Sequence, residues 1–135
     1  MCHMADFTPN AAGGKIGGHT MKLAWSEVGS TTVNELKEGC LTSGCHTSAS
    51  LTKLDYNGKM TEVQKNMDTL KTLLMAKNWI DSLSTIKSPL KIVPASRGGA
   101  LFNYMLVMHD GSSGVHNTKY ALELVRSSIT ELRKP

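Results

Sequence analysis

The sequence is poor in aromatic residues and contains no long apolar run. Phe, Trp and Tyr make up 5% of the 135 residues, whereas apolar residues in total make up 40%. The chain can bury a modest core, but it has few large rings with which to fill one, and an apolar prosthetic group would help. No segment approaches the roughly 18 consecutive apolar residues of a transmembrane helix, so we expect no membrane span.

Positive charge is neither abundant nor clustered. The formal net charge is +4, and no run of Lys and Arg indicates a nucleic-acid-binding arm, so we expect no nucleic-acid partner. The mild excess is compatible with an acidic redox partner or an anionic surface and is specific to neither. The opening residues, "MCHMADFTPNAAGG", lack the basic and apolar regions of an export signal.

Apolar periodicity predicts a mostly α fold, with about three helices after a loop-rich first third, in a single domain over residues 1–135. The first helix has one apolar face, is capped by Thr61 and Gln64, and extends to about Trp79. Its predicted face comprises Val63, Met67, Leu70 and Leu74. If an apolar prosthetic group is bound, we expect the faces over 63–79 and 121–132 to pack around it and the fold to be poorly ordered without it.

Two further helices are predicted, from about Gly99 to His109 and from Asn117 or Thr118 onwards. The apolar positions of the second are Leu101, Tyr104, Met105 and Met108, and those of the third are Ala121, Leu124, Val125, Ile129 and Leu132. "KSPLKIVPAS" holds two prolines and predicts an extended connector.

Three shorter segments carry weaker patterns. "DYNGK" at 55–59 predicts a turn. Paired glycines between 13 and 18 indicate a loop, and "STTVNELKEG" is compatible with a short helix that is capped by Ser30 or Thr31 and ends at Gly39.

Cysteine and histidine are grouped in the order Cys40, Cys45, His46, with four residues between the cysteines. Covalent haem attachment of the c type uses two cysteines, commonly two residues apart, with a histidine directly after the second. The spacing here is wider, but Cys45 and His46 are adjacent. The same residues also fit part of a tetrahedral zinc site, or a chance cluster in a loop of small residues.

A second Cys–His pair, Cys2 and His3, stands at the start of the sequence. It has the form of the second half of another haem-attachment motif. With three cysteines in total, the thiols cannot all pair within the chain.

A low-spin electron-transfer haem needs a second axial ligand. His19, in a glycine-rich loop, and His116, just before the last helix, are the candidates, although each also fits an ordinary loop histidine. His109 ends an apolar helix and fits a residue that interacts with the helix dipole. Most methionines lie on apolar helical faces and are expected in the core.

The whole pattern resembles the closing part of multihaem c-type cytochromes, a group related to the pentahaem nitrite reductases. The resemblance runs from residue 2 to about 132 and is carried by "CHM", "GGHTMKL", the Cys…Cys-His motif and "DGSSGVHNTKYALELVRSSI". It implies one or two covalently bound haem c groups. Cys40 and Cys45 would be the thioether anchors, His46 the proximal ligand, and Cys2 with His3 half of the preceding anchor. It also implies that His116 and His19 are distal ligands.

The function implied by the resemblance is electron transfer through bis-His haem iron in a periplasmic or extracellular protein. Its partner would be a redox protein or an upstream haem domain, and the chain would be the C-terminal fragment of a longer one. The alternatives are the C-terminal portion of a multihaem reductase for a small nitrogen or sulfur compound, a zinc-binding module, and a helical interaction module. No catalytic residue is predicted, and an electron carrier is favoured over an enzyme.

Overall fold

The computed structural model describes residues 24–25, 31–37, 40–41, 46–92, 94–110, 112–115 and 117–135. The chain divides into two compact units, Met1–Tyr56 and Asn57–Pro135, which we call the first unit and the helical unit. The single domain over 1–135 stays a prediction, and each unit is described by itself.

The first unit contains a minimal antiparallel ribbon. Strand β1 (Ala24–Trp25) pairs with strand β2 (Asn34–Glu35), with Ala24 opposite Glu35 and Trp25 opposite Asn34. The short helix considered for this stretch is therefore wrong, because 34–35 are strand and the other described residues of 31–37 are not helical. β-branched residues precede β2 at 31–33, and such side chains favour extended backbone.

The predicted turn at 55–59 is confirmed, and it also sets the start of the first helix. Tyr56–Gly58 form a short 3-10 turn in which Asn57 has φ 52° and Gly58 has φ 69°. Both residue types adopt this left-handed conformation more readily than others do. Helix α1 (Lys59–Ala76) begins directly after Gly58. The predicted capping box is therefore wrong, since Thr61 and Gln64 lie inside the helix.

The predicted apolar face of α1 is confirmed residue by residue. All four of its positions are buried: Val63, Met67, Leu70 and Leu74. The chain after the helix contributes two more buried side chains, Trp79 and Ile80, and Ile80 forms an isolated antiparallel bridge with Ile86.

Helix α2 (Ala95–Asp110) begins inside the predicted connector: the described residues of the connector before Ala95 are not helical, whereas Ala95 and Ser96 belong to the helix. It starts four residues before the predicted Gly99, directly after Pro94. A proline at this point is compatible with helix entry because the first amide groups of a helix need no intrahelical partner. Its fully buried positions are Ala100, Leu101, Tyr104 and Val107, whereas the predicted Met105 and Met108 are only partly buried against the core.

Helix α3 (Thr118–Arg133) starts where predicted, with Asn117 in the N-cap position. Leu122 and Ser128 are buried in addition to the predicted stripe, and Leu124 is partly buried. Ser128 is accommodated because its Oγ accepts a hydrogen bond from Asn103 Nδ2 at 3.0 Å and donates one to the Leu124 carbonyl at 2.7 Å.

The core of the helical unit lies where α3 packs against both α1 and α2. Its buried members are Val63, Met67, Leu70, Leu74, Trp79, Ile80, Ala100, Leu101, Tyr104, Val107, Ala121, Leu122, Val125, Ile129 and Leu132. One polar bond lies among them, between Ser84 Oγ and Tyr104 Oη at 2.8 Å. The protein is mostly α, and none of its described helices is long and apolar enough to cross a bilayer.

Candidate functional site

Cys40 lies in a turn of the first unit and is buried. Its side chain and backbone together are only 3% exposed. The turn is held by two backbone bonds to one acceptor, because the amides of Cys40 and Leu41 both donate to the Lys37 carbonyl, at 2.8 and 3.2 Å. The first predicted haem anchor is thus held by a defined backbone turn.

His46, by contrast, is exposed. It directly precedes a tight turn in which Ser50 N donates to the Thr47 carbonyl at 2.9 Å and Thr47 N donates to Ser50 Oγ, also at 2.9 Å. Leu51 N donates to the same Thr47 carbonyl, and Leu51 is buried. The predicted proximal ligand therefore stands on the solvent side of an anchored turn, where its imidazole is accessible to a ligand.

Two side-chain bonds connect the chain before Cys40 to the chain after His46. Glu35 Oε2 accepts a hydrogen bond from the Leu54 amide at 2.9 Å, and Lys37 Nζ donates to the Thr52 carbonyl at 2.5 Å. We call this pair of bonds the clamp. It joins the chain on either side of Cys40 and His46. Bonds that bring two distant parts of the chain together lower the entropic cost of binding a group at several points between them.

No pattern in the sequence indicated the clamp. Glu35 and Lys37 lie in the segment that was compatible with a helix. In a helix, side chains two residues apart point in different directions and would not contact the same neighbouring segment. Once 34–35 is a strand, side chains two residues apart lie on one face, and both can reach the 52–54 segment.

Five predicted ligands and anchors lie outside the described residues: Cys2, His3, His19, Cys45 and His116. The structure therefore describes Cys40 and His46 alone among the seven predicted positions. His109, interpreted as a dipole-satisfying residue, is exposed in the last turn of α2. Within the described part of the chain, no group of three or more His, Cys, Asp or Glu side chains could hold a metal ion.

A shallow cleft lies between α1 and α2 in the helical unit. Its volume is about 180 Å³, and its lining includes Met67, Asp68, Lys71, Tyr104 and Met108. Small-molecule sites usually enclose upwards of about 300 Å³, so this cleft is too small for a porphyrin. Of the predicted ligands, the structure describes Cys40 and His46, and neither of these lines the cleft.

Comparison with known proteins returned no similar protein. No protein-family model matches the chain, no curated protein matches it, and no solved structure matches it.

Proposed function

We propose that the chain carries covalently bound c-type haem and transfers electrons. The single observation that supports this most is the clamp, which joins the chain on either side of a buried Cys40 and an exposed His46. Cys40 and Cys45 would each add a thiol across a vinyl group of the porphyrin, sulfur to one carbon and hydrogen to the other. His46 would bind the iron.

The burial of Cys40 sets the proposed order of events. Cys40 as a whole residue is 3% exposed in the folded chain, so its thiol is poorly accessible to a large macrocycle. We therefore propose that haem is attached before the first unit closes, and that the clamp forms around the attached haem. Attachment of this kind is completed outside the cytoplasm in the cytochromes that the sequence resembles, so the proposed location is periplasmic or extracellular.

The proposed second axial ligand is a histidine, either His19 or His116, and Cys2 with His3 would belong to a second haem. Two imidazoles on one iron fill both axial positions and leave no site for a substrate. Held by two of this chain's histidines, the haem would supply electron exchange without substrate binding, at a potential lower than with a His/Met pair. The proposed partner is a redox protein or an upstream haem domain.

The proposed haem belongs to the first unit rather than to the helical core. The apolar stripes of α1 and α3 were expected to surround a macrocycle, but they already pack against other side chains of the helical unit. Val63, Leu70 and Val125 are at most 1% exposed without any prosthetic group. Few described residues of the first unit are buried, so a macrocycle would contribute more apolar contact there.

The test is expression in a host that attaches haem, followed by intact mass and a reduced-minus-oxidised absorption spectrum. We expect a mass increase of one or two haem groups and the bands of a low-spin, six-coordinate iron that does not bind cyanide or nitrite. Cys40→Ala with Cys45→Ala should remove the haem of this motif, whereas His109→Ala should not.

Other results would support the other functions. Rapid binding of cyanide or nitrite to an attached haem would indicate an open iron site and favour the reductase. A colourless protein with one equivalent of zinc would favour the zinc module. Colourless, metal-free and unmodified protein from the same host would overturn the proposal and leave a helical interaction module.

A further inference from the structure

Helix α2 is apolar on its exposed side as well as on its buried side. Residues 98–108, "GGALFNYMLVM", contain no charged side chain. Phe102 is 66% exposed and Leu106 is 42% exposed, although both lie in the middle of an ordered helix. A helix that is apolar on all sides is normally covered on all sides, so this exposed side indicates a contact with another surface.

Apart from Gly99, the residues on this side stand at symmetric positions before and after Phe102. We call them the Phe102 face: Ala95, Gly98, Gly99, Phe102, Leu106 and His109. Starting from Phe102, steps of four and three residues lead back to Gly98 and Ala95, and the same steps lead forward to Leu106 and His109. The N-terminal half of the face carries only small residues, and the C-terminal half carries large ones.

Such a face is complementary to itself. If two copies of α2 pack antiparallel about a two-fold axis at Phe102, Leu106 of each copy lies opposite Gly98 of the other, and His109 lies opposite Ala95. The space at the glycines is open, because a Cβ built on Gly98 or Gly99 would meet no atom within 4 Å. The large side chains of one copy would fill the space above the small residues of the other. The antiparallel helix dipoles would also attract one another.

We propose that the Phe102 face is a homodimer interface, occupied by the same face of a second copy of this chain. A two-fold pair uses one patch twice, which is the commonest symmetry of soluble oligomers. One pair of helix faces buries less than the standard interface of about 1,600 Å², so the dimer should dissociate on dilution. The proposal does not depend on haem.

The test is sedimentation equilibrium of the full chain across about 1 µM to 1 mM, a range that spans binding free energies of about −8 to −4 kcal/mol and so covers a weak dimer. We expect the mass to rise from the 14.6 kDa of one chain towards twice that value. Phe102→Glu should weaken association at least tenfold. Val33→Glu, at a residue that is 60% exposed in the first unit, is the matched control and should leave association unchanged.

A second pair of variants distinguishes an effect on association from an effect on the stability of the fold. Gly98→Leu fills the gap that Leu106 of the other copy would occupy, so it should also weaken association at least tenfold. Gly98→Leu replaces a glycine inside a helix with a good helix former. The melting temperature of this variant should therefore be unchanged or higher. Adding Leu106→Ala to Gly98→Leu moves the large residue to the other half of the face and should restore association.

Three results would overturn the proposal. The first is a monomer at every concentration, which would also be the result if another part of the same chain covered the face. The second is a dimer that neither Phe102→Glu nor Gly98→Leu weakens. The third is an equal loss of association in Val33→Glu.

Discussion

The first unit and the helical unit bury very different amounts of apolar side chain. Among the described residues, the first unit has four buried apolar residues: Leu36, Cys40, Leu51 and Leu54. The helical unit has fifteen in one connected core. Hydrophobic burial is the dominant favourable term in folding, so the helical unit has the larger driving force of its own.

The two units also differ in how their backbone groups are satisfied. The helical unit does this locally, through i to i+4 bonds within α1, α2 and α3. The described part of the first unit uses a two-residue ribbon, side-chain turns and the clamp. Such structure depends on a few individual bonds. The expectation that haem removal disorders the fold therefore applies to the first unit, whereas the helical unit should keep a cooperative melt.

The largest effect is expected from a cavity in the helical core. Leu74→Ala should lower the free energy of unfolding by about 2–5 kcal/mol, since Leu74 is 0% exposed and a cavity would replace its side chain. Urea unfolding followed by helical circular dichroism measures this. Thr72→Ala, at an exposed position of the same helix, is the control and should change the value little. Equal effects of the two changes would contradict the assigned core.

The next effect concerns Gly114, which precedes α3 and has φ 77°. Gly114→Ala should cost about 2–4 kcal/mol, because the left-handed backbone disfavours a Cβ and the new Cβ would lie 2.9 Å from Val63 Cγ2. Gly58→Ala is the matched control: its φ is 69°, but no atom lies within 4 Å. This substitution should lower the free energy of unfolding by only about 1–2 kcal/mol, which is the cost of a left-handed backbone at a residue with a Cβ. Equal losses in urea unfolding would show that Val63 does not restrict this position.

A smaller and local effect is expected at the clamp. Glu35→Ala removes the acceptor of the Leu54 amide, so amide hydrogen exchange at Leu54 should accelerate about tenfold, corresponding to about 1.4 kcal/mol. Lys53→Ala, at an exposed neighbour, should not accelerate it. The helical melt should be unchanged in both variants. A loss of helical stability in Glu35→Ala would mean that the two units do not unfold separately.

The smallest effect is expected at the ion pairs of Glu62. The hydrogen bond from Lys59, followed by the charge of Lys59 and the contact with Arg126, lowers the pKa of Glu62 below 4.5. The ionised Glu62 side chain stabilises the fold at pH values above its pKa in the unfolded chain. This stabilisation is lost as the pH falls through its lowered pKa in the folded chain. Glu62→Gln should therefore lower the melting temperature slightly at neutral pH and not in strong acid.

Salt and a second glutamate provide the controls for this prediction. High salt should reduce the difference between Glu62→Gln and the unchanged protein, because the ion pairs are at the surface. Glu123→Gln, at an exposed position of α3, should change the melting temperature less. A difference that persists in strong acid would show that packing rather than charge is responsible.

Sequence patterns predicted the helical unit well and the first unit poorly. The α1 face, the turn before it and the start of α3 follow from periodicity and turn chemistry, which are local properties of the chain. The capping box failed because Asn57 and Gly58 end the turn before Thr61 is reached. The first unit was harder because its strands are two residues long, too short for any alternation to show.

The candidate site, too, was predictable from the sequence only in part. The order Cys40, Cys45, His46 is visible in the sequence alone, and so is the chemistry that it suggests. The burial of Cys40 and the exposure of His46 are not visible there, and neither is the clamp, whose bonds run from Glu35 and Lys37 to residues 19 and 15 positions away. The haem itself stays a prediction.

The sequence by itself determined that this chain forms three helices and where the apolar faces of α1 and α3 lie. Only the tertiary structure decided that α3 packs against both other helices, that Tyr104 bonds to Ser84, and that Phe102 is left exposed. The physical reason is that periodicity specifies which side of a helix is apolar, while packing between distant segments specifies which apolar side is covered and by what.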